Sequence, residues 1–276
     1  HCNAAHVRGK TERELVKADP NALVDALHGV SRPWPCVLRV DLAACYRLVA
    51  HYGWDDVLFT HNSARVPGSD HHFLINPLGL KFEEITASSL IKIDCDGNKI
   101  MESPFGYIKA GFTIHSAIHM NREDAVCVMH THTMEGMAVS AQKNGLLMLN
   151  QKSLCFYNRL AYHDFEGPSL YLDERDRLVA SLDGKHAMIL KNHGLMTVGK
   201  TVAAAFQRLY RLERACQVQI DASAAGALNV ITDNVAAKSG ADTNAFAESE
   251  DGFGYGELEY AALLRKMGRL DASYAA

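Results

Sequence analysis

No CxxC pair occurs in these 276 residues, and the cysteines (Cys2, Cys36, Cys45, Cys95, Cys127, Cys155, Cys216) are scattered and odd in number. That argues against a cysteine-built zinc site, a thiol nucleophile or a disulfide scaffold, and reads as reduced, mostly buried thiols in a cytoplasmic protein. Blocks of basic charge are missing too. The 28 Lys and Arg are outweighed by 32 Asp and Glu, for a net charge of −4, so nucleic acid is not an expected partner. No apolar run is long enough to span a bilayer, so no membrane partner is expected. Neither a signal peptide nor an internal repeat is recognisable, so none is expected. The chain starts at His1 rather than Met, which suggests a natural N-terminus that is missing or altered.

What the chain does have is ordinary globular material: 48% hydrophobic and 22% charged residues, in a length that one large α/β domain can use. Residues 1–36 read as a weakly ordered N-terminal extension ending in the breaker Pro33-Trp34-Pro35. Residues 37–225 read as the main domain, and 226–276 as an Ala/Gly/Ser-rich mobile segment followed by a last helix, Glu257 to Met267. Within the domain, helical spacing marks Asp41–Tyr52 with Asp41 as cap, Thr113–Asn121, Met134–Lys143, Asp173–Leu182 and Thr201–Ile220. Short apolar runs mark strands at 57–59, 63–66, 73–75, 90–93, 125–129 and 186–190, with a hairpin at Asp96-Gly97-Asn98. Strands that alternate with helices yet come in hairpins predict a mixed or antiparallel sheet covered by helices.

The chemistry starts at His130-Thr131-His132, which closes the apolar run from Ala125. Strand side chains alternate faces, so His130 and His132 project together. His193 follows a second apolar run, Ala187 to Leu190. Three imidazoles from two strand ends, with one position left open, form the ligand pattern of a catalytic metal. The same spacing also suits two solvent-facing strand histidines.

Four segments carry a resemblance: 111–119 (GFTIHSAIH), 122–132 (REDAVCVMHTH), 192–194 (NHG) and 74–79 (LINPLG). Together they resemble the class II aldolase/adducin family from about Asp41 to Ile220. The ending GELEYAALLR at 256–265 looks like the bacterial adducin-like members. The resemblance implies a three-layer α/β/α fold with a largely antiparallel central sheet, and homotetramers with the metal site near a subunit interface. It also implies a divalent metal on His130, His132 and His193. Zinc comes first, with Mn2+, Fe2+ or Co2+ as alternatives, and the ion would act as a Lewis acid that stabilises developing negative charge.

Departures from the family matter as much. Its sugar-phosphate aldolases carry an acid at the position of Gly111, and no Asp or Glu lies between Glu102 and Glu123 here. Two serines that bind the substrate phosphate correspond to Lys109 and Ala110, and a phosphate-binding asparagine corresponds to His61. Adducin itself shows the same kind of Gly-Phe-Thr-Leu-His segment.

For the missing proton-transfer role, His115 is one helical turn beyond Gly111, and Tyr162 or Tyr255 is an alternative donor. His61, Asn76 and Gly79 are the candidates for substrate binding; Asn76 equally suits an Asx turn, and Gly79 and Gly194 suit a close backbone approach or a positive φ. His119 reads as structural, and His71, His72 and His163 as loop residues. The expectation is a metal-dependent lyase that cleaves a C–C bond, by retro-aldol or decarboxylation, in a small carbonyl or hydroxy-carboxylate compound without a phosphate. The alternatives are a non-enzymatic adducin-like interaction module and a non-haem iron enzyme on the same three histidines.

Overall fold

The computed structural model describes residues 34–68, 71–169, 171–249 and 253–276. Most of the expected N-terminal extension therefore lies outside the described residues. Its last three residues open the first helix, α1 (Trp34–His51). Proline lacks only an N–H that the first turn leaves unpaired anyway, so Pro35 starts this helix rather than breaking it. Asp41 is accordingly mid-helix and not a cap.

A seven-stranded sheet forms the middle layer, in the order β3-β2-β1-β4-β7-β6-β5. Its strands are β1 (His61–Arg65), β2 (Phe73–Ile75), β3 (Ile91–Ile93), β4 (Cys127–Thr131), β5 (Leu160–His163), β6 (Ala187–Leu190) and β7 (Gly194–Gly199). Every neighbouring pair is antiparallel except β5 and β6. The segment 57–59, expected as a strand, is a turn: Val57 has φ 54 and Asp56 bridges to Phe59.

Alternation along the strands decides which helices cover which face. One face presents Ala64, Leu74, Cys127, Met129, Ile189 and Leu195 to α1 and to α6 (Val202–Ala225). The other presents Val128, Met188, Met196 and Val198 to Ile114 and Ile118 of α2 (Lys109–Asn121), and to Leu178 and Leu182 of α5 (Glu174–Leu182). Three layers result, as the resemblance implied. Two short helices, α3 (Met134–Ser140) and α4 (Gln151–Leu154), follow β4.

The segment expected to be mobile instead holds a helix, α7 (Asp233–Ser249). Its buried residues Ala236, Gly240 and Asn244 recur every four positions. A Cβ on Gly240 would lie 2.8 Å from the Leu154 carbonyl oxygen. The small residues that suggested loose chain are what let α7 pack against α4. The last helix, α8 (Glu257–Leu270), puts Tyr260, Leu264 and Met267 into the main core, and the Tyr260 hydroxyl donates to the Asp41 carbonyl. Among the described residues, no helix is long and apolar enough to cross a membrane.

Candidate active site

β4 delivers His130 at its end and His132 just beyond it. The tight β6–β7 connection delivers His193, with Asn192 before it in the left-handed conformation (φ 56) that Asn tolerates. β4 and β7 pair directly, Thr131 opposite Leu195, so the two strand ends converge. Gly194 permits this approach: a Cβ there would sit 2.3 Å from the Thr131 carbonyl oxygen and close to the rings of both His132 and His130. Its glycine is required by space rather than by φ. One potential ligand atom from each of His130, His132 and His193 lies within 4.8 Å of the others.

The hydrogen bonds fix which ring nitrogens are available. His130 Nδ1 lies 2.8 Å from the Leu195 carbonyl, an acceptor only, so Nδ1 carries the proton. His132 Nδ1 lies 3.0 Å from the Asp56 carboxylate and does the same. Both rings therefore turn Nε2 inward, and these two nitrogens are only 2.9 Å apart. Two nitrogens at that distance share a cation between them, either a proton or a metal ion. Burial, followed by the neighbouring imidazoles, holds His130 well below the ordinary histidine range and His193 down to about 4, so these two rings are neutral donors at neutral pH. The residues thus fit a divalent metal, and Asp56 forms the outer carboxylate of a carboxylate–histidine pair. Asp56 went unremarked in the sequence because a turn acid carries no periodic signal. The turn that presents it has positive φ at both Val57 and Thr60.

A second histidine group lies beside the triad on the same sheet face. His61 pairs with His130 across β1 and β4, and their rings stack with centroids 6.3 Å apart. Both His61 nitrogens are buried, and among the described residues neither has a hydrogen-bond partner. A Cβ on Gly111 would lie 2.5 Å from three atoms of the His61 ring. The imidazole of His61 therefore fills the space into which any side chain at position 111 would project.

His115 meets His61 edge to face, with centroids 5.6 Å apart. Its Nδ1 lies 2.5 Å from Ser63 Oγ, which is 2.7 Å from His119 Nε2, and His119 Nδ1 is 3.1 Å from the Ala125 carbonyl. That carbonyl accepts only, so His119 is protonated at Nδ1, Ser63 donates to His119, and His115 donates to Ser63. Burial lowers both histidines to about 3, which keeps them neutral. This leaves His115 Nε2 a bare, buried acceptor, with no hydrogen-bond partner among the described residues.

The other sequence candidates are not brought to this group. Asn76 shares a face with Leu74, on the α1 side, where its Oδ1 accepts from the Tyr46 hydroxyl at 2.9 Å. Tyr162 accepts the Leu146 N–H at 3.0 Å, and its ring packs at the Gly145 turn. Gly79 serves a turn with φ 109, and a Cβ there would meet nothing within 4 Å. His163, read as a loop residue, is buried on β5; its Nδ1 is 2.9 Å from Ser181 Oγ and its Nε2 is 3.5 Å from Glu174. It lines a small cavity with His193.

The class II aldolase and adducin N-terminal domain model matches residues 40–220. The chain belongs to that family. An aldolase II superfamily protein from Pseudomonas syringae has 46% sequence identity, with a TM-score of 0.83 over 91% of this chain and all of that one. An L-fuculose 1-phosphate aldolase from Glaciozyma antarctica is 30% identical, with a TM-score of 0.76 over 91% of this chain and 98% of that one. Rat alpha-adducin is 38% identical over 247 residues, which cover 85% of this chain but only 33% of the adducin. Both halves of the family thus align with this chain through the segments that hold the three histidines.

Proposed function

We propose that this protein is a metal-dependent lyase that cleaves a C–C bond of a small carbonyl or hydroxy-carboxylate compound, by retro-aldol reaction or decarboxylation. The observation that carries this reading is the convergence of His130, His132 and His193, with the first two Nε2 atoms 2.9 Å apart. With the His130 and His132 Nδ1 atoms tied outward to a carbonyl and a carboxylate, this is the donor set that a divalent ion takes. His130, His132 and His193 would hold a divalent ion, zinc first among the candidates, which supplies Lewis-acid stabilisation of negative charge. The L-fuculose 1-phosphate aldolase relative supports the aldol version.

The substrate we favour carries no phosphate, because Gly111 and His61 stand where the resemblance places an acid and a phosphate ligand. His61 is the imidazole beside the triad, and His115 backs it with a bare Nε2. We assign proton transfer to this pair, whose rings meet edge to face beside the triad. We further propose a cytoplasmic homotetramer with the site near a subunit boundary; light scattering that gives a monomer at micromolar concentration would refute that part. Alpha-adducin favours a second reading, a non-enzymatic interaction module, although two thirds of adducin has no counterpart here.

Metal analysis of protein purified without added metal, followed by a panel of hydroxy-carboxylates and sugar phosphates, separates these readings. We expect about one divalent ion per chain, lost on His193→Ala with the fold intact, and turnover on a non-phosphorylated compound. A sugar phosphate as the best substrate would remove the phosphate-free claim. A metal-free protein that takes up no added zinc would remove the lyase and favour the module.

A further inference from the structure

Thr131 lies between two metal-ligand candidates, so its side chain points to the opposite sheet face, toward α6. There it meets an acid. Glu213 Oε1 accepts from the Thr131 hydroxyl at 2.6 Å, and Oε2 accepts from the Thr133 hydroxyl at 2.6 Å. Thr133 is also the cap of α3 and accepts the Gly136 N–H at 3.1 Å. One carboxyl group thus grips the residues on both sides of His132.

Glu213 is an odd choice for its position. It lies on the buried stripe of α6, where Leu209 and Cys216 are its neighbours at helical spacing. It is 3% exposed, and among the described residues no cation pairs with it. Burial pushes its carboxyl up to about 7, with the two threonine hydroxyls opposing the shift and the charge of Glu135 adding to it. A buried acid without a cation costs stability that an apolar residue of similar size would not. Packing alone does not account for it. Two needs at the far side of the strand do: the direction of the His132 ring, and a negative charge behind a divalent ion.

We propose that Glu213 is a positioning residue for the metal centre, its carboxylate clamping Thr131 and Thr133 so that His132 is held toward His130 and His193. This inference rests on the metal-binding reading above. Glu213 touches neither the ion nor the substrate. Its effect runs through the backbone of residues 131–133 and through its charge, which favours a cation on the far side of the strand.

The test compares zinc affinity, from competition with a chromogenic chelator, with the melting temperature of the metal-free protein. Glu213→Gln keeps the shape and removes the charge. We expect zinc affinity to fall by about 10–100-fold, the range typical of outer partners of metal ligands, while the metal-free melting temperature stays within a few degrees of wild type. Thr131→Val, which deletes one arm of the clamp and keeps the side-chain shape, should weaken zinc binding in the same direction and less than additively with Glu213→Gln. It also serves if the Gln variant fails to fold. Wild-type zinc affinity in a folded variant would overturn the clamp while leaving the metal reading intact. So would a loss of affinity that only tracks a loss of metal-free stability. Wild-type protein that binds no zinc would overturn both.

Discussion

Gly111→Ala is the sharpest probe of the site's architecture, because two opposing effects can be sized from the structure. Position 111 is in the first turn of α2 at ordinary helical φ, so alanine should gain about 0.5–1 kcal/mol in helix propensity. Against this, the new methyl would lie 2.5 Å from Cγ, Cδ2 and Cε1 of the His61 ring. Carbon atoms rest at about 3.5–4.0 Å, so the ring must retreat by about 1 Å. It has little room: His61 is 5% exposed, its backbone is paired to His130, and the His115 ring stands at its side. Overpacking of this kind costs about 1–3 kcal/mol. The net expectation is a loss of about 1–2 kcal/mol in urea unfolding of the metal-free protein. The decisive measurement repeats Gly111→Ala in a His61→Ala background. With the ring gone, only the propensity effect survives, and the same change should stabilise by about 0.5–1 kcal/mol. Alanine that stabilises equally in both backgrounds would refute the seating of His61 over Gly111, and with it the reason given for the absent acid.

Two more outcomes follow from the buried histidines. His115 and His119 fall from about 6.5 unfolded to about 3 folded; the unfolded chain takes up protons that the folded one refuses, so stability is intact above about pH 6.5 and declines as pH falls from there toward 3. Each should cost about 2 kcal/mol by pH 5, and Ser63→Ala, which breaks the chain between them, should alter that profile; denaturation midpoints that are flat from pH 7.5 to 5 would contradict it. His115→Ala should lower kcat on the best substrate by about 10²-fold or more with little change in KM, as a group acting chiefly in the transition state does, and unchanged turnover would end its assignment.

Features with a short-range pattern were legible in the sequence. The paired histidines follow from a period of two, α2 and α6 from a period of 3.6, and the antiparallel sheet from hairpin turns. What was not legible depends on partners far apart in the chain. β5 and β7 went unread: β7 is bounded by glycines, and β5 is a four-residue edge strand beside β6. With β5 missing, His163 read as a loop residue. Pro35 read as a breaker because the same residue ends one element and opens another, and only the chain around it decides which. Asp56 and Glu213 are single acids in unremarkable surroundings; their roles exist only through contacts 76 and 82 positions away.

The two departures from the family's aldolase pattern at positions 61 and 111 form one steric unit. A side chain at 111 needs the ring at 61 to be gone, and a ring at 61 needs 111 to be bare. The triad does not share this dependence. Its Nδ1 atoms are held by the Leu195 carbonyl and by Asp56, and its rear face by Glu213, none of which touches position 111. The triad and the His61–Gly111 pair are therefore held by separate contacts. Shape matching between His61 and Gly111 serves folding in a lyase and in an interaction module alike. Here both are buried, matched in shape, and backed by a hydrogen-bonded chain that ends on a bare nitrogen. On the lyase reading proposed above, it is the bare nitrogen beside the triad, and not the shape match, that serves proton transfer.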